Sequence, residues 1–423
     1  MPGRYRRLVN TGMSPVPHAS TPLDLGFDPT DSGFVADPYP AYARLRELAP
    51  VVYDEATDHW LIAHHGDVSS LLRDRRFGRT YLHTATHEEM GREPPPASRD
   101  AFWHLINNGI LDMEPPDHTR VRKLVAKAFT PRMVESMREP VQRMTDDLVD
   151  AIADAGSFDL LSAIAEPLPV AVIAELLGIP ANDRRLLRPW SADICRMYEL
   201  HPSSEDAAVA VAASVEFSDY LRELSRTRRA APTGDLISEM TRVVDEGDRL
   251  TEDELIGTCV LLLNAGHEAT VNVTGNGWFT LLRNPSALAR LRAEPGLVPR
   301  AVEELMRWDT PLQLFERWVL KDVEMRGVHV PRGAELGLVF GSANRDPAVF
   351  DAPDELHLDR DPNPHVTFGA GIHFCLGAPL ARLELQTSFA TVLRRLTDLE
   401  LIEEPSWKPG YIIRGLESLR VSC

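Results

Sequence analysis

Cysteine is scarce in this chain, long apolar runs are missing, and positive charge falls well short of negative. Only four cysteines occur in 423 residues: Cys195, Cys259, Cys375 and Cys423. They stand far apart and form no C-x-x-C pair, so a disulfide framework is not expected and a reducing compartment is. The longest apolar stretches, such as residues 259–263, fall far short of the roughly 18 residues that suggest a membrane span. The N-terminal stretch MPGRYRRLVNTGMSPVPHAS is basic but has no apolar signal core. The expectation is a soluble, cytoplasmic protein with a frayed tail. Lys and Arg total 45 against 63 Asp and Glu, a formal net charge of −18. So acidic a chain is a poor generic partner for nucleic acid or anionic lipid.

What is there is the composition of a folded enzyme. Hydrophobic residues make up 43% and charged residues 26%, which excludes disorder or a collagen-like structure for the bulk of the chain. Residues 1–25 carry Pro2, Pro15, Pro17 and Pro22 and read as an unstructured tail. Length alone would allow two or three domains at about 150 residues each. No internal repeat is found, and residues 26–423 are read as one domain.

Within it, YPAYARLREL reads as a short helix, and VVYDEATDHWLIAHH as two strands around a turn at 55–58. Residues 84–100, with Pro94, Pro95 and Pro96, read as a long polar loop. From 118 to about 296 the pattern is nearly all helical. Thr251 and Glu254 form a capping box, and a mostly apolar run continues to Asn284 and Pro285, where a helix should stop. A helix that long and apolar is expected at the centre of the molecule. Beyond Trp308, short strands are expected from about 315 to 339, then a loop region at 344–365. A last helix is expected from Leu376, with Leu385, Phe389, Val392, Leu393 and Leu396 at helical spacing. The fold class is mainly α with a smaller β-rich portion drawn from both ends of the chain.

The segment FGAGIHFCLGAPLAR, residues 368–382, carries the chemistry. Gly369, Gly371 and Gly377 bracket Cys375, and glycine lets backbone approach a ligand closely. Cys375 precedes a predicted helix, whose first N–H groups and dipole favour a thiolate. Such a thiolate suits a flat metal macrocycle or a nucleophile. An isolated buried cysteine beside a turn is more often structural. Elsewhere, Glu304 and Arg307 in EELMR share a helix face at i, i+3, as do His118 and Arg122 in DHTRVRK at i, i+4. Each pair alone would be ordinary surface charge.

The string from Phe368 to Gly377 resembles the haem-binding signature Phe-Gly-x-Gly-x-His-x-Cys-x-Gly of the cytochromes P-450, the haem-thiolate monooxygenases. Every fixed position is present. The resemblance extends over nearly the whole chain and implies a cytochrome P-450 fold, with the long central helix crossing the haem. It implies haem b, iron protoporphyrin IX, as cofactor and Cys375 as the metal ligand. Phe368, Gly369, His373 and Gly377 fall in the cofactor-binding loop. His118, Arg122, Arg317 and His373 correspond to residues that hold haem propionates, and two buried carboxylates do need such partners. Glu304, Arg307 and Arg360 match a structural ion cluster of the family.

The long helix contains AGHEAT, residues 265–270, at the family's oxygen-activating stretch. Ala265 and Gly266 would leave room for dioxygen, and Glu268 occupies the acid position. The departure is Ala269, where the family usually has a threonine. Thr270 stands next to it, about 100° further round the helix. A relay of protons to oxygen, worth roughly 10²–10⁴-fold, would then come from Thr270, from water held by Glu268, or from the substrate. Some macrolide hydroxylases of the family share this alanine and recruit a substrate hydroxyl. The catalytic candidates are therefore Glu268, Ala269 and Thr270.

The resemblance implies a bacterial-type monooxygenase that hydroxylates or epoxidises a small hydrophobic natural product, macrolide- or polyketide-like. It would use O2 and electrons from a ferredoxin and an NAD(P)H-dependent ferredoxin reductase, and act as a monomer. The alternative is a haem-thiolate enzyme of non-insertion chemistry, namely oxidative coupling, isomerisation or peroxide-driven oxidation, to which Ala269 lends weight. A non-catalytic haem sensor is disfavoured by Glu268 and the open Ala265 and Gly266. The substrate-binding candidates are Ile110 in the 107–111 loop, the 194–199 lid region, Leu262 and Asn264, Leu314 and Phe315, and Ile412 with Ile413. The basic run Arg120, Arg122, Lys123, Lys127 and Arg132 is expected to dock the electron donor, with Arg122 turned inward.

Overall fold

A computed structural model describes residues 21–423, apart from Asp245. Its axis is the helix Glu252–Arg283. The capping box forms as expected: the Thr251 hydroxyl accepts from Glu254 N–H at 3.1 Å and the Glu254 carboxylate accepts from Thr251 N–H at 2.8 Å. At its other end the helix stops at Asn284, because Pro285 cannot continue it. Its 32 residues span about 48 Å. Two apolar clusters explain why so long a helix is stable. Leu255, Ile256, Cys259, Val260 and Leu263 pack with helices Pro167–Leu177, Leu187–Cys195 and Ser204–Ala230. Val271, Val273, Trp278 and Leu281 pack with helices Val298–Trp308 and Ala378–Arg395. There the Trp278 ring stacks on Phe389, centroids 5.1 Å apart and planes 3° from parallel.

The main sheet joins distant parts of the chain. The hairpin Val51–Asp54 and His59–Ile62 forms as read from the sequence. His59–Ile62 then runs parallel to Glu335–Val339, with Trp60 opposite Leu336. Leu314–Val319 lies antiparallel on its other side, with Arg317 opposite Leu336. Phe77–Gly78 closes that edge. Side chains alternate along a strand, so Phe315 and Arg317 face one way while Leu314 and Glu316 face the other.

Some expectations need correction. Residues 1–20 lie outside the described residues, but 21–25 are structured. Thr21 and Asp24 exchange hydrogen bonds, and Leu25 is buried with Phe27, Phe34 and Tyr411. The apolar pair Leu25 and Phe27 outweighs the proline signal. The 84–100 loop carries single helical turns at Glu88–Met90 and Ala97–Arg99. The largely helical stretch also contains a strand, Ser157–Asp159, which pairs with Arg420–Ser422. The last helix begins at Ala378, two residues later than expected.

Candidate active site

Cys375 sits where a tight loop enters the helix Ala378–Arg395. Its N–H donates to the Phe368 carbonyl at 3.0 Å, closing the loop on itself. Gly369 and Gly371 have φ of 67° and 70°, a region that disfavours side chains. At Gly371 space forbids one too: an added Cβ would lie 2.2 Å from the Leu72 carbonyl oxygen. Burial pushes the Cys375 thiol up. The N–H groups of Gly377 and Ala378 and the charges of Arg122 and Arg382 pull the other way, and burial wins. The helix-start N–H groups expected to favour a thiolate are in place but do not outweigh burial by themselves; coordination to a metal cation would hold the sulfur as thiolate. Cys195 and Cys259 are buried, and burial pushes both thiols well up.

The cationic residues expected around the cofactor come together. His118 lies on the helix Asp117–Ala128, buried, with its ring centroid 4.4 Å from that of His373. Among the described residues neither of its ring nitrogens has a hydrogen-bond partner. Burial, then the charges of His373 and Arg122, push its pKa down to about 4. Arg317 is buried; its Nη1 donates to the Glu316 carbonyl at 2.9 Å, while Nη2 has no hydrogen-bond partner among the described residues. Burial and then neighbouring Arg79 bring the guanidinium down to about 9. His373 Nε2 lies 3.4 Å from Glu114 Oε1. Arg122 donates to the Phe374 carbonyl at 2.6 Å. Unpaired polar groups at this depth are costly, and carboxylates supplied by a ligand would satisfy them.

The ion cluster is also assembled. Glu304 and Arg307 are completely buried and joined by two 2.8 Å hydrogen bonds. Arg360 Nε lies 3.2 and 3.1 Å from the two Glu304 oxygens. Arg307 also donates to the carbonyls of Asn344 and Pro353, both at 2.9 Å. The cluster pins the chain that leads to the cysteine loop.

On the central helix, Leu262, Ala265, Gly266 and Ala269 form an accessible stripe along the middle turns. Their i, i+3, i+4, i+7 spacing puts them on one face. Thr270 is buried, and the helix runs unbroken past Gly266. The open face therefore carries Ala269 and lacks the Thr270 side chain. Gly266 also meets a second demand: an added Cβ would meet Ile173 Cδ1 at 3.0 Å, so its small size admits the neighbouring helix. Glu268 is largely buried, 3.6 Å from His267 Nδ1 and 4.0 Å from Lys408 Nζ.

Among pocket candidates, Leu262 and Phe315 are partly exposed. Leu314 and Ile412 are instead core, packed with Tyr42, Leu61 and Val339, because strand alternation turns Leu314 away from Phe315. Ile110 is buried in the first apolar cluster. The lid region is tied down at two points. Asn264 Nδ2 donates to Tyr198 Oη at 3.4 Å. The Glu199 carboxylate accepts the N–H groups of Tyr411, Ile412 and Ile413 at 2.9, 3.1 and 3.2 Å.

Sequence reasoning missed three charged groups here. Arg79 flanks Phe315, its guanidinium 4.6 Å from the ring centroid, and pairs with Asp112 at 3.0 Å. Glu303 takes Arg382 at 2.7 and 2.9 Å and His365 at 3.0 Å. Arg382 in turn lies 4.5 Å from the Phe368 ring centroid. No local pattern marks Arg79. Arg382 was visible as the last residue of the signature segment.

A family model described as Cytochrome P450 matches residues 207–405. The monooxygenase PikC of Streptomyces venezuelae is 40% identical over 414 residues, covering 95% of each chain. The 6-deoxyerythronolide B hydroxylase of Saccharopolyspora erythraea is 36% identical over 404 residues, covering 93% of this chain and 98% of that one. This chain belongs to the cytochrome P450 family. Among solved structures, the bacillaene polyketide synthase cytochrome P450 PksS of Bacillus subtilis 168 superposes with a TM-score of 0.85 at 35% identity, covering 94% of this chain and 99% of that one. This cytochrome P450 is a haem-thiolate monooxygenase with iron protoporphyrin IX as its cofactor. Its residues fit that group: a cysteine sulfur flanked by cations, and unpartnered nitrogens on His118 and Arg317 suited to two propionates.

Proposed function

We propose that this cytochrome P450 hydroxylates or epoxidises a small hydrophobic natural product of polyketide or macrolide type, and that the bound substrate completes proton delivery. Two relatives are named for work of this kind, a hydroxylase of 6-deoxyerythronolide B and a polyketide synthase P450. The observation that carries the second part is the open helix face, where Ala265 and Ala269 stand accessible and no hydroxyl is presented.

Cys375 would bind the iron, Phe368 and the glycine loop would shield its sulfur, and His118, Arg122, Arg317 and His373 would hold the propionates. The haem, when bound, supplies dioxygen activation, aided by thiolate donation. Ala265 and Ala269 keep the facing wall flat, so a substrate can lie against it. Glu268 holds a carboxylate at the edge of that wall, beside His267 and Lys408. From there protons pass through a water that the substrate orders, or through an oxygen of the substrate itself. Leu262 and Phe315 give the pocket its apolar surface. Electrons would come from a ferredoxin and its NAD(P)H-dependent reductase, with the enzyme acting as a cytoplasmic monomer.

The test is product formed per NAD(P)H consumed. It compares the wild type with its substrate, the wild type with an analogue lacking the oxygen group nearest the reacting carbon, and Thr270→Val with the full substrate. Coupling should fall about 10-fold or more with the analogue alone. Loss only in Thr270→Val would contradict the proposal. A product without an added oxygen atom would favour coupling or isomerisation chemistry instead.

A further inference from the structure

The face of the main sheet opposite Phe315 and Arg317 carries a second constellation. His59 and Glu335 stand opposite each other, one step before the Trp60 and Leu336 pair. Glu316 pairs with Gly337, two residues beyond Glu335 and so on the same side. Three strands thus bring one imidazole and two carboxylates together. A nitrogen of His59 and one oxygen from each glutamate lie within 4.8 Å of one another.

His59 is the unusual member. It is only 4% exposed, yet among the described residues neither ring nitrogen has a hydrogen-bond partner. Its Nε2 lies 3.9 Å from both Glu316 Oε1 and Glu335 Oε2. That is too far for a hydrogen bond. The gap suits an ion between the groups: a cation about 2.0–2.2 Å from each donor spans up to about 4.4 Å. The second oxygen of Glu316 faces Arg79 Nη1 at 3.8 Å, which turns Oε1 toward His59. Carboxylate oxygens suit a divalent cation, and an imidazole adds the nitrogen favoured by zinc-class ions.

We propose that His59, Glu316 and Glu335 bind one divalent transition cation of the zinc class, with water completing its coordination. None of these three residues belongs to the cysteine loop or to the residues that would hold the propionates. It clamps the strands His59–Ile62, Leu314–Val319 and Glu335–Val339, and the middle one of these in sequence carries Arg317. Its role is structural: it fixes the strand that presents Arg317 and Phe315.

The experiment uses holoenzyme stripped with a chelator, exposed to Zn2+ and desalted. Zinc per haem and thermal midpoint are then measured for wild type, His59→Gln and Glu316→Gln, with the Soret band reporting an intact haem site. Wild type should retain one zinc per haem and melt at a higher temperature with zinc than without. Both variants should lose that zinc and melt at the same temperature with or without it. Should His59→Gln fail to fold, Glu316→Gln, nearer the surface, decides alone. Absence of retained zinc in wild type, or equal zinc in wild type and a folded variant, overturns the site.

Discussion

Glu384 shows how one side chain can set the pH response of the molecule. It is buried on the helix that follows Cys375, and its Oε1 has no hydrogen-bond partner among the described residues. Burial pushes its pKa from 4.5 up to about 8. A raised carboxyl pKa means the folded state holds a proton that the unfolded state has released. Its contribution is therefore fully present below about pH 4.5 and is lost as pH rises through about 8. Thermal midpoints of wild type should fall across that window more steeply than those of Glu384→Gln, which carries no titrating group. Parallel pH profiles for the two proteins would contradict the reading. Residue-scale legibility was uneven for a physical reason. The signature around Cys375 and the spacing of Glu304 with Arg307 are local patterns, and both were readable. Glu384 was not, since nothing in its neighbours distinguishes a buried glutamate from a solvated one.

The central helix shows what an element adds. Its cap, length and stop at Pro285 follow from the sequence, because all three depend on residues within the helix. Which face lies open does not, because that depends on the helices packed around it. Gly266 illustrates the difference: its small size admits Ile173. Gly266→Ala should cost about 1–3 kcal/mol through overpacking, and Ile173→Val in the same chain should recover part of that loss. Denaturant unfolding of the single and double variants checks this. Stabilisation by Gly266→Ala alone, as helix propensity would give, would show that the contact relaxes freely. Leu314 was misplaced for a related reason. Alternation along its strand puts it opposite Phe315, so the two could not both line the pocket. Arg79 and Glu303 escaped notice because their partners lie far away in sequence, Arg79 pairing with Asp112 and Glu303 with Arg382 and His365.

At the scale of the whole molecule, a net charge of −18 makes the remaining positive surface selective. The basic run is thinner than its sequence implies. Arg120 pairs with buried Glu254, Arg122 turns to the cysteine loop, and Lys123 lies 3.8 Å from Glu246. Lys127 and Arg132 are exposed, as are Phe374 and Ile372 of the cysteine loop. Reversing charge at Lys127 and Arg132 should slow reduction by an acidic ferredoxin about tenfold at low salt and flatten its salt dependence. Stopped-flow reduction with unchanged rates would remove this surface from the docking site. The proposal turns on Cys375 as the thiolate that would bind the iron, with the loop and the cations Arg122 and Arg382 about it. Its most direct test is the reduced carbon monoxide difference spectrum of wild type, Cys375→Ala and Cys195→Ala. Wild type and Cys195→Ala should show the red-shifted Soret band of thiolate ligation, and Cys375→Ala should lack it. Persistence of that band in Cys375→Ala, or its loss in Cys195→Ala, would contradict the account.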